Sequence, residues 1–242
     1  MNVMILSGGK GTRFREETVF KPKPMIEING TPLLIHIINH YRNFGLKNFT
    51  ILGGFKIDFI SEYFDKKFNK IQENKYVYFN SEILILDTGL ETMTGGRVKQ
   101  GIERTNDDEY MLTYGDGLSN VNISNLYNFY KNNDYLGVVT AVRPPARFGR
   151  LEINQDKVVK FGEKNQTDEG WINGGFFVLN KSVKDYIESD LTIFEKEPLE
   201  RLSYENNLGA FKHNGFWQCC DTVREKEILE ESIDKAGINY GN

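Results

Sequence analysis

Three glycines, three lysines and two arginines crowd the short stretch LSGGKGTRFREETVFKPKPM, residues 6–25. Gly8, Gly9 and Gly11 leave the backbone little side-chain cover, so its N–H groups can turn toward an anion such as a triphosphate. Their spacing matches neither the dinucleotide fingerprint nor the P-loop, and glycines after a strand also form plain turns. The residues that follow tip the balance. Arg13 offers a rigid fork of donors and Lys23 a compact charge, the two modes by which proteins neutralise phosphate, and Thr12 stands beside them. Pro22 and Pro24 restrict the backbone on either side of Lys23, which suits a lysine that must be aimed.

A phosphate site of this kind needs a carboxylate for a metal. YGDG places Asp116 between two glycines at the end of an apolar run, where a lone acid is poor core material. Mg²⁺ takes one or two carboxylates together with substrate phosphate oxygens. Asp221, in FWQCCDT, is the candidate for the second, although a turn aspartate capping the next segment reads equally well there. TMTGGR reads as a further glycine turn ending in Arg97, GEK carries Glu163 and Lys164 at a strand end, and WINGG sets Asn173 before two glycines, where amide and backbone can approach a polyhydroxyl ligand.

Other chemistries find less support. His36 and His40 stand four apart on one helical pattern but lack the glutamate of a HExxH motif and a third ligand, and His213 stands alone. Cys219 and Cys220 are adjacent, which disfavours both an unstrained disulfide and a zinc site, so free thiols are expected. There is no GxSxG elbow.

The elements that must position these residues alternate. VMILSGG reads as a buried strand ending in a glycine loop, TPLLIHIINHYRNFG as a helix with Thr31 as N-cap and Gly45 as stop, NFTILGGF as a strand and KIDFISEYFDKKF as a helix. EYMLTYGDG, NISNLYNFYKNN and YLGVVTAV repeat the theme. The pattern predicts an α/β fold: a doubly wound, mainly parallel sheet whose strand C-termini, with their glycine turns, share one edge. After Pro144 the pieces shorten into an inserted hairpin, a helix around SVKDYIES, a return to the sheet and a terminal helix. The small β-rich part reads as an elaboration on the acceptor side of a single domain, with no linker and no internal repeat.

Composition sets the outer limits. The 242 residues are 39% hydrophobic and 26% charged with net charge -4, ordinary for a globular protein and without the basic surface a nucleic acid requires. No window approaches a membrane span of roughly 20 apolar residues, and the N-terminal apolar run is too short for a signal peptide, so a cytoplasmic location is expected.

Taken together, LSGGKGTRFREETVFKPKPM, YGDG, GEK, INGGFF and the late aspartate resemble the sugar-phosphate nucleotidyltransferases. DTGLETMTGGRVK, VTAVRPPARFG, WINGGFFVLN, FEKEPLERL and GFWQCCDT resemble, within them, the glucose-1-phosphate cytidylyltransferases, over residues 1 to about 230. The resemblance implies a reaction of CTP with a sugar phosphate, glucose 1-phosphate first, giving a CDP-sugar and pyrophosphate for capsule or lipopolysaccharide synthesis. It implies that Leu6, Gly8, Gly9, Gly11, Thr12, Arg13, Lys23, Thr92, Gly96, Arg97 and Gly115 bind the nucleotide. Arg13, Lys23 and Lys164 would be catalytic, Glu163, Lys164, Asn173 and Gly174 would bind the acceptor, and Asp116 and Asp221 would hold Mg²⁺. Residues 1–142 would form the nucleotide half and 143–242 the acceptor half of a homo-oligomer. This chain departs from the pattern at Asn165 in GEKN, at CCDT, at PPARFG and in a shorter stretch between Phe68 and Leu84. Another hexose phosphate or a polyol phosphate therefore remains open as acceptor, as does a nucleotide-sensing domain without turnover.

Overall fold

The computed structural model describes residues 1–12, 14, 18–144, 150–154, 156–162 and 170–233. Its first half is the alternation the sequence predicts. Strand β1 (Asn2–Leu6) is followed by β2 (Glu27–Ile28), β3 (Thr31–Pro32), helix α1 (Leu33–Asn43) and β4 (Asn48–Gly53). Helix α2 (Ile57–Lys67) leads into β5 (Asn69–Gln72), β6 (Lys75–Tyr78) and β7 (Ser81–Asp87). Helix α3 (Thr94–Thr105), β8 (Glu109–Tyr114), β9 (Gly117–Ser119), α4 (Ile123–Lys131) and β10 (Gly137–Val142) come next. The remainder is β11 (Arg150–Asn154), β12 (Lys157–Gly162), β13 (Ile172–Asn180), α5 (Glu197–Tyr204), β14 (Leu208–Lys212), β15 (Trp217–Cys219) and α6 (Val223–Ser232).

Nine strands form one sheet in the order β14-β10-β13-β8-β1-β4-β7-β6-β5. The centre is parallel: β1 pairs with β4 and β8, and β4 with β7, so their C-termini share an edge. β13 enters antiparallel between β8 and β10, which returns β10 and β14 to the direction of β8. β11 and β12 form the separate hairpin that the texture after Pro144 predicts. One apolar cluster lies under α1, with Val3, Ile5, Ile37, Phe49 and Phe64; the other lies under α3, with Met4, Leu52, Val98, Leu112 and Phe177. Both faces of the sheet are therefore covered, as a mainly parallel sheet requires.

Three local expectations are corrected. Thr31 belongs to β3, and α1 starts behind Pro32 without a side-chain cap, because the Leu33 N–H is taken by the Ile26 carbonyl at 2.9 Å. The segment around SVKDYIES is a short 3-10 turn, Lys181–Tyr186. TMTGGR is the start of α3 and not a turn: a Cβ on Gly95 would lie 2.6 Å from the Thr192 carbonyl and one on Gly96 2.5 Å from Asp190 Cα, so these glycines permit close packing inside a helix.

Candidate active site

The C-terminal edge of the parallel strands opens into a cavity of about 490 Å³. Its floor begins where β1 ends, with Leu6, Ser7 and the Gly8–Thr12 loop. Gly115 closes against this loop, its N–H bonded to the Leu6 carbonyl at 2.9 Å, and a Cβ there would lie 2.8 Å from that oxygen. Gly11 adopts φ +60°, a conformation glycine takes at little cost, and its carbonyl accepts from Thr18 Oγ1 at 3.1 Å. Leu90–Thr94 form the facing wall, and the exposed pair Lys10–Glu91, 3.0 Å apart, spans the mouth.

Arg97 lies beneath the loop and is 4% exposed. Its Nη1 donates to the Gly53 carbonyl at 2.6 Å and to Thr88 Oγ1, and Nη2 donates to the Gly8 carbonyl at 3.2 Å. A Cβ on Gly8 would lie 2.2 Å from its Cζ. The guanidinium thus ties β1, β4 and α3 together and sets a positive charge under the backbone of the cavity. Burial pulls its pKa down from the ordinary arginine value, with Asp87 opposing.

Lys23 sits in a 3-10 turn behind Pro22 and is 9% exposed. Its Nζ donates to Asp116 Oδ2 at 2.6 Å and to Asp221 Oδ1. Burial works to lower its pKa, but the attraction and hydrogen bonds of Asp116, and then those of Asp221, outweigh it and hold the ammonium above its ordinary value. Asp116 follows β8 and Asp221 follows β15; antiparallel pairing of β9 with β15, Gly117 opposite Cys219, brings them together, and the Cys220 N–H donates to the Asp116 carbonyl at 2.8 Å. Thr222 caps α6, accepting from Glu225 N at 3.2 Å, while Glu225 Oε2 accepts from Asp221 N at 2.7 Å. The capped helix start thereby holds Asp221 in place.

Two carboxylates that already converge on one cation are a hard-oxygen donor set of the kind a divalent metal uses with phosphate oxygens. Cys219, Asp221 and Glu225 also place ligand atoms within 4.8 Å of one another. That grouping suits a metal less well. Burial, then the charges of Glu225 and Asp221, pushes the Cys219 thiol up to about 12, and Glu225 is engaged with the Asp221 N–H.

Leu6, Gly8, Gly9, Gly11, Thr12, Lys23, Thr92, Arg97, Gly115, Asp116 and Asp221 all line this one cavity. Gly96 packs on Asp190 instead. Arg13, Glu163 and Lys164 lie outside the described residues. Asn173 and Gly174 stand beside the cavity on β13. Asn173 Nδ2 donates to Tyr114 OH at 3.0 Å, and the Gly174 carbonyl accepts from Trp217 Nε1 at 2.7 Å.

Two residues escape the sequence reading. Tyr114, lining the cavity, donates its OH to Glu195 Oε1 at 2.8 Å, and Thr94 donates to Glu195 Oε2 at 2.6 Å. Burial first, then the Glu195 charge, raises the Tyr114 pKa, so the phenol stays a neutral donor. Glu195 joins the start of α3 to Tyr114 and, through it, to Asn173. YGDG carries a signal for Tyr114, which directly precedes the glycine; Glu195 lies in FEKEPLERL, where nothing local points to the cavity.

A glycine loop and paired acids at the C-terminal edge of an open α/β sheet define a nucleotide-handling enzyme. The chain belongs to the nucleotidyl transferase family, whose model matches residues 2–221. The glucose-1-phosphate cytidylyltransferase of Salmonella typhimurium is 44% identical to it over 97% of this chain and 96% of that one. Among solved structures, HddC from Yersinia pseudotuberculosis superposes with TM-score 0.71 at 23% identity, covering 96% of this chain and 99% of that one. The inositol-1-phosphate CTP transferase from T. maritima does so with TM-score 0.70 at 16% identity, covering 99% and 96%. These two likenesses extend the fold to distant sequences. No helix among the described residues is long and apolar enough to cross a membrane.

Proposed function

We propose that this enzyme transfers the cytidylyl group of CTP to a hexose 1-phosphate, glucose 1-phosphate first, releasing pyrophosphate and a CDP-sugar. The observation that carries the reading is the convergence of Lys23, Asp116 and Asp221 at the cavity that the Gly8–Thr12 loop opens. The 44% identity to a glucose-1-phosphate cytidylyltransferase supports the choice of nucleotide and acceptor.

The acceptor phosphate is already a nucleophile and needs no strong base. One of its oxygens attacks the α-phosphorus in line with the departing pyrophosphate, so catalysis consists of positioning and charge neutralisation. The loop amides and the charge of Arg97 beneath them receive the triphosphate, and Arg13 would help to neutralise it. Lys23, held beside the two acids, neutralises charge as the phosphates approach. Asp116 and Asp221 would hold Mg²⁺, which when bound offsets negative charge on the phosphate oxygens. Asn173 and Gly174, with Glu163 and Lys164, meet the acceptor. In this reading residues 1–142 serve mainly the nucleotide and 143–242 mainly the acceptor, within one domain of a homo-oligomer.

The test is pyrophosphate release by the full chain with Mg²⁺, each nucleoside triphosphate in turn, and a panel of hexose 1-phosphates, hexose 6-phosphates and polyol phosphates. The reading expects CTP and glucose 1-phosphate to lead and Asp116→Asn to abolish release without unfolding the protein. Full activity in Asp116→Asn, or preference for another triphosphate, would reject it.

A further inference from the structure

The Gly8–Thr12 loop and the Leu90–Thr94 wall face each other across the mouth of the cavity, and each is anchored on both sides of its tip. The Gly8 carbonyl accepts from Phe55 N at 3.1 Å and from Arg97, and the Gly11 carbonyl from Phe14 N at 3.0 Å and from Thr18. On the wall, Gly89 N donates to Asp87 Oδ1 at 2.9 Å and Met93 N to the Asp190 carbonyl at 2.8 Å. Lys10 and Glu91 stand at the two tips, between these anchors. Their ion pair, 3.0 Å long, is the one hydrogen bond that joins the tips among the described residues.

The cations that line the cavity differ in what they can give up. Arg97 spends its donors on Gly53, Thr88 and Gly8 and is buried, and Lys23 is buried between Asp116 and Asp221. The side chain of Lys10 is 51% exposed and that of Glu91 74%. An ion pair so open to water is worth at most about fivefold in an equilibrium constant. A phosphate, with more charge and more acceptor oxygens, offers the same ammonium a stronger bond. Among the described cations of the cavity, Lys10 is therefore the one that can change partner at small cost. A compact charge on a flexible stem suits such a change, and the space beside it is open, since a Cβ on Gly9 would meet nothing within 4 Å.

We propose that Lys10 exchanges Glu91 for the terminal phosphates of the incoming triphosphate, and that Glu91 takes Lys10 back as pyrophosphate departs. Transfer takes place at the α-phosphorus beside Lys23 and the two acids, so the phosphates that reach the loop tip are the two that leave. The partners of one ion pair then act in opposite directions. Lys10 adds to the affinity for triphosphate and pyrophosphate, whereas Glu91 competes for Lys10, limits that affinity and favours release. CMP, which lacks the terminal phosphates, is indifferent to both. The inference rests on the transfer reading for the presence of a triphosphate, and it deepens that reading by assigning the hold and release of the leaving group.

The experiment is calorimetric titration of the full chain with CTP, inorganic pyrophosphate and CMP, each with Mg²⁺, in the parent and in Lys10→Gln, Lys10→Arg and Glu91→Gln. Both residues are exposed, so all three variants should melt with the parent. Lys10→Gln should weaken CTP and pyrophosphate by about tenfold, the loss of one charge-assisted hydrogen bond, and leave CMP unchanged. Lys10→Arg, which keeps the charge, should restore most of that affinity. Glu91→Gln should tighten CTP and pyrophosphate by about two- to fivefold and make pyrophosphate the stronger inhibitor of turnover. Weaker binding in both Lys10→Gln and Glu91→Gln would make the pair a structural strut and overturn the exchange. So would affinities that neither change moves, an equal effect on CMP, or a parent that does not bind pyrophosphate. The two readings fail separately, because pyrophosphate is common to every nucleoside triphosphate. The expected pyrophosphate pattern in a chain that does not turn over CTP keeps the exchange and rejects cytidylyl transfer. Turnover of CTP with pyrophosphate binding indifferent to Lys10 does the reverse.

Discussion

The Lys23 ammonium lies 2.6 Å from Asp116 Oδ2 and also holds Asp221, so one buried cation occupies the meeting point of two acids from chain positions far apart. Removing it takes a positive charge from the phosphates and leaves two carboxylates facing each other. Lys23→Ala should lower turnover by about 10²- to 10³-fold, the scale of one lost electrostatic contact to a transition state. Its melting temperature should also fall, since removing one partner strands the rest. Steady-state kinetics and thermal unfolding of the same preparation check both, and unchanged turnover would remove Lys23 from the chemistry.

Gly8 and Gly9 separate two roles within one loop. A Cβ on Gly8 meets Arg97 at 2.2 Å, whereas one on Gly9 meets nothing within 4 Å. Gly8→Ala should displace the guanidinium, lower stability and raise the KM for CTP. Gly9→Ala should fold with the stability of the parent, so its KM for CTP reports the approach of phosphate alone. Equal stability loss in both variants would contradict the packing described for Arg97.

Glu195 spends one carboxylate oxygen on Tyr114 and the other on Thr94. A glutamine there has only one acceptor, so Glu195→Gln should break one of these bonds and loosen Asn173 through Tyr114. The expected effect is a rise of about tenfold in the KM for the acceptor with a smaller change in kcat, as for loss of one charge-assisted hydrogen bond. A uniform fall in kcat with KM unchanged would assign Glu195 a different role.

Acid should weaken the fold through its histidines. Burial holds His40 down to about 4, with its hydrogen bond to Val121 opposing and His213 adding to the fall, and burial lowers His36 and His213 as well. The unfolded chain takes up protons first, so this stability is complete above about pH 6.5 and is lost as pH drops toward 4. For His40 alone the loss between pH 7 and pH 5 is about 2 kcal/mol. His40→Gln, which keeps an N–H for the Val121 carbonyl, should flatten that limb in urea unfolding at the two pH values.

What the sequence revealed follows from range. The glycine loop and Asp116 end apolar strands, and strand, glycine and charge lie within a few residues of one another, so their placement on one edge could be read directly. Asp221 could be named as the candidate second acid beside Asp116, though a turn aspartate read equally well there, because the three-residue pairing of β9 with β15 that brings the two together leaves no local pattern. Gly95 and Gly96 looked like a turn; packing of α3 against residues 190–192 outweighs their poor helix propensity. Glu195 lies in FEKEPLERL, but its role was invisible, since it meets Tyr114 across 81 positions of chain.

The central claim is cytidylyl transfer, and phosphorus NMR of CTP, glucose 1-phosphate, Mg²⁺ and the full chain tests it most directly. The account predicts that the CTP and glucose 1-phosphate resonances decay together while those of pyrophosphate and of a CDP-sugar grow in equal molar amounts. CTP that stays intact with every hexose 1-phosphate tried, while another nucleoside triphosphate is consumed, would contradict it.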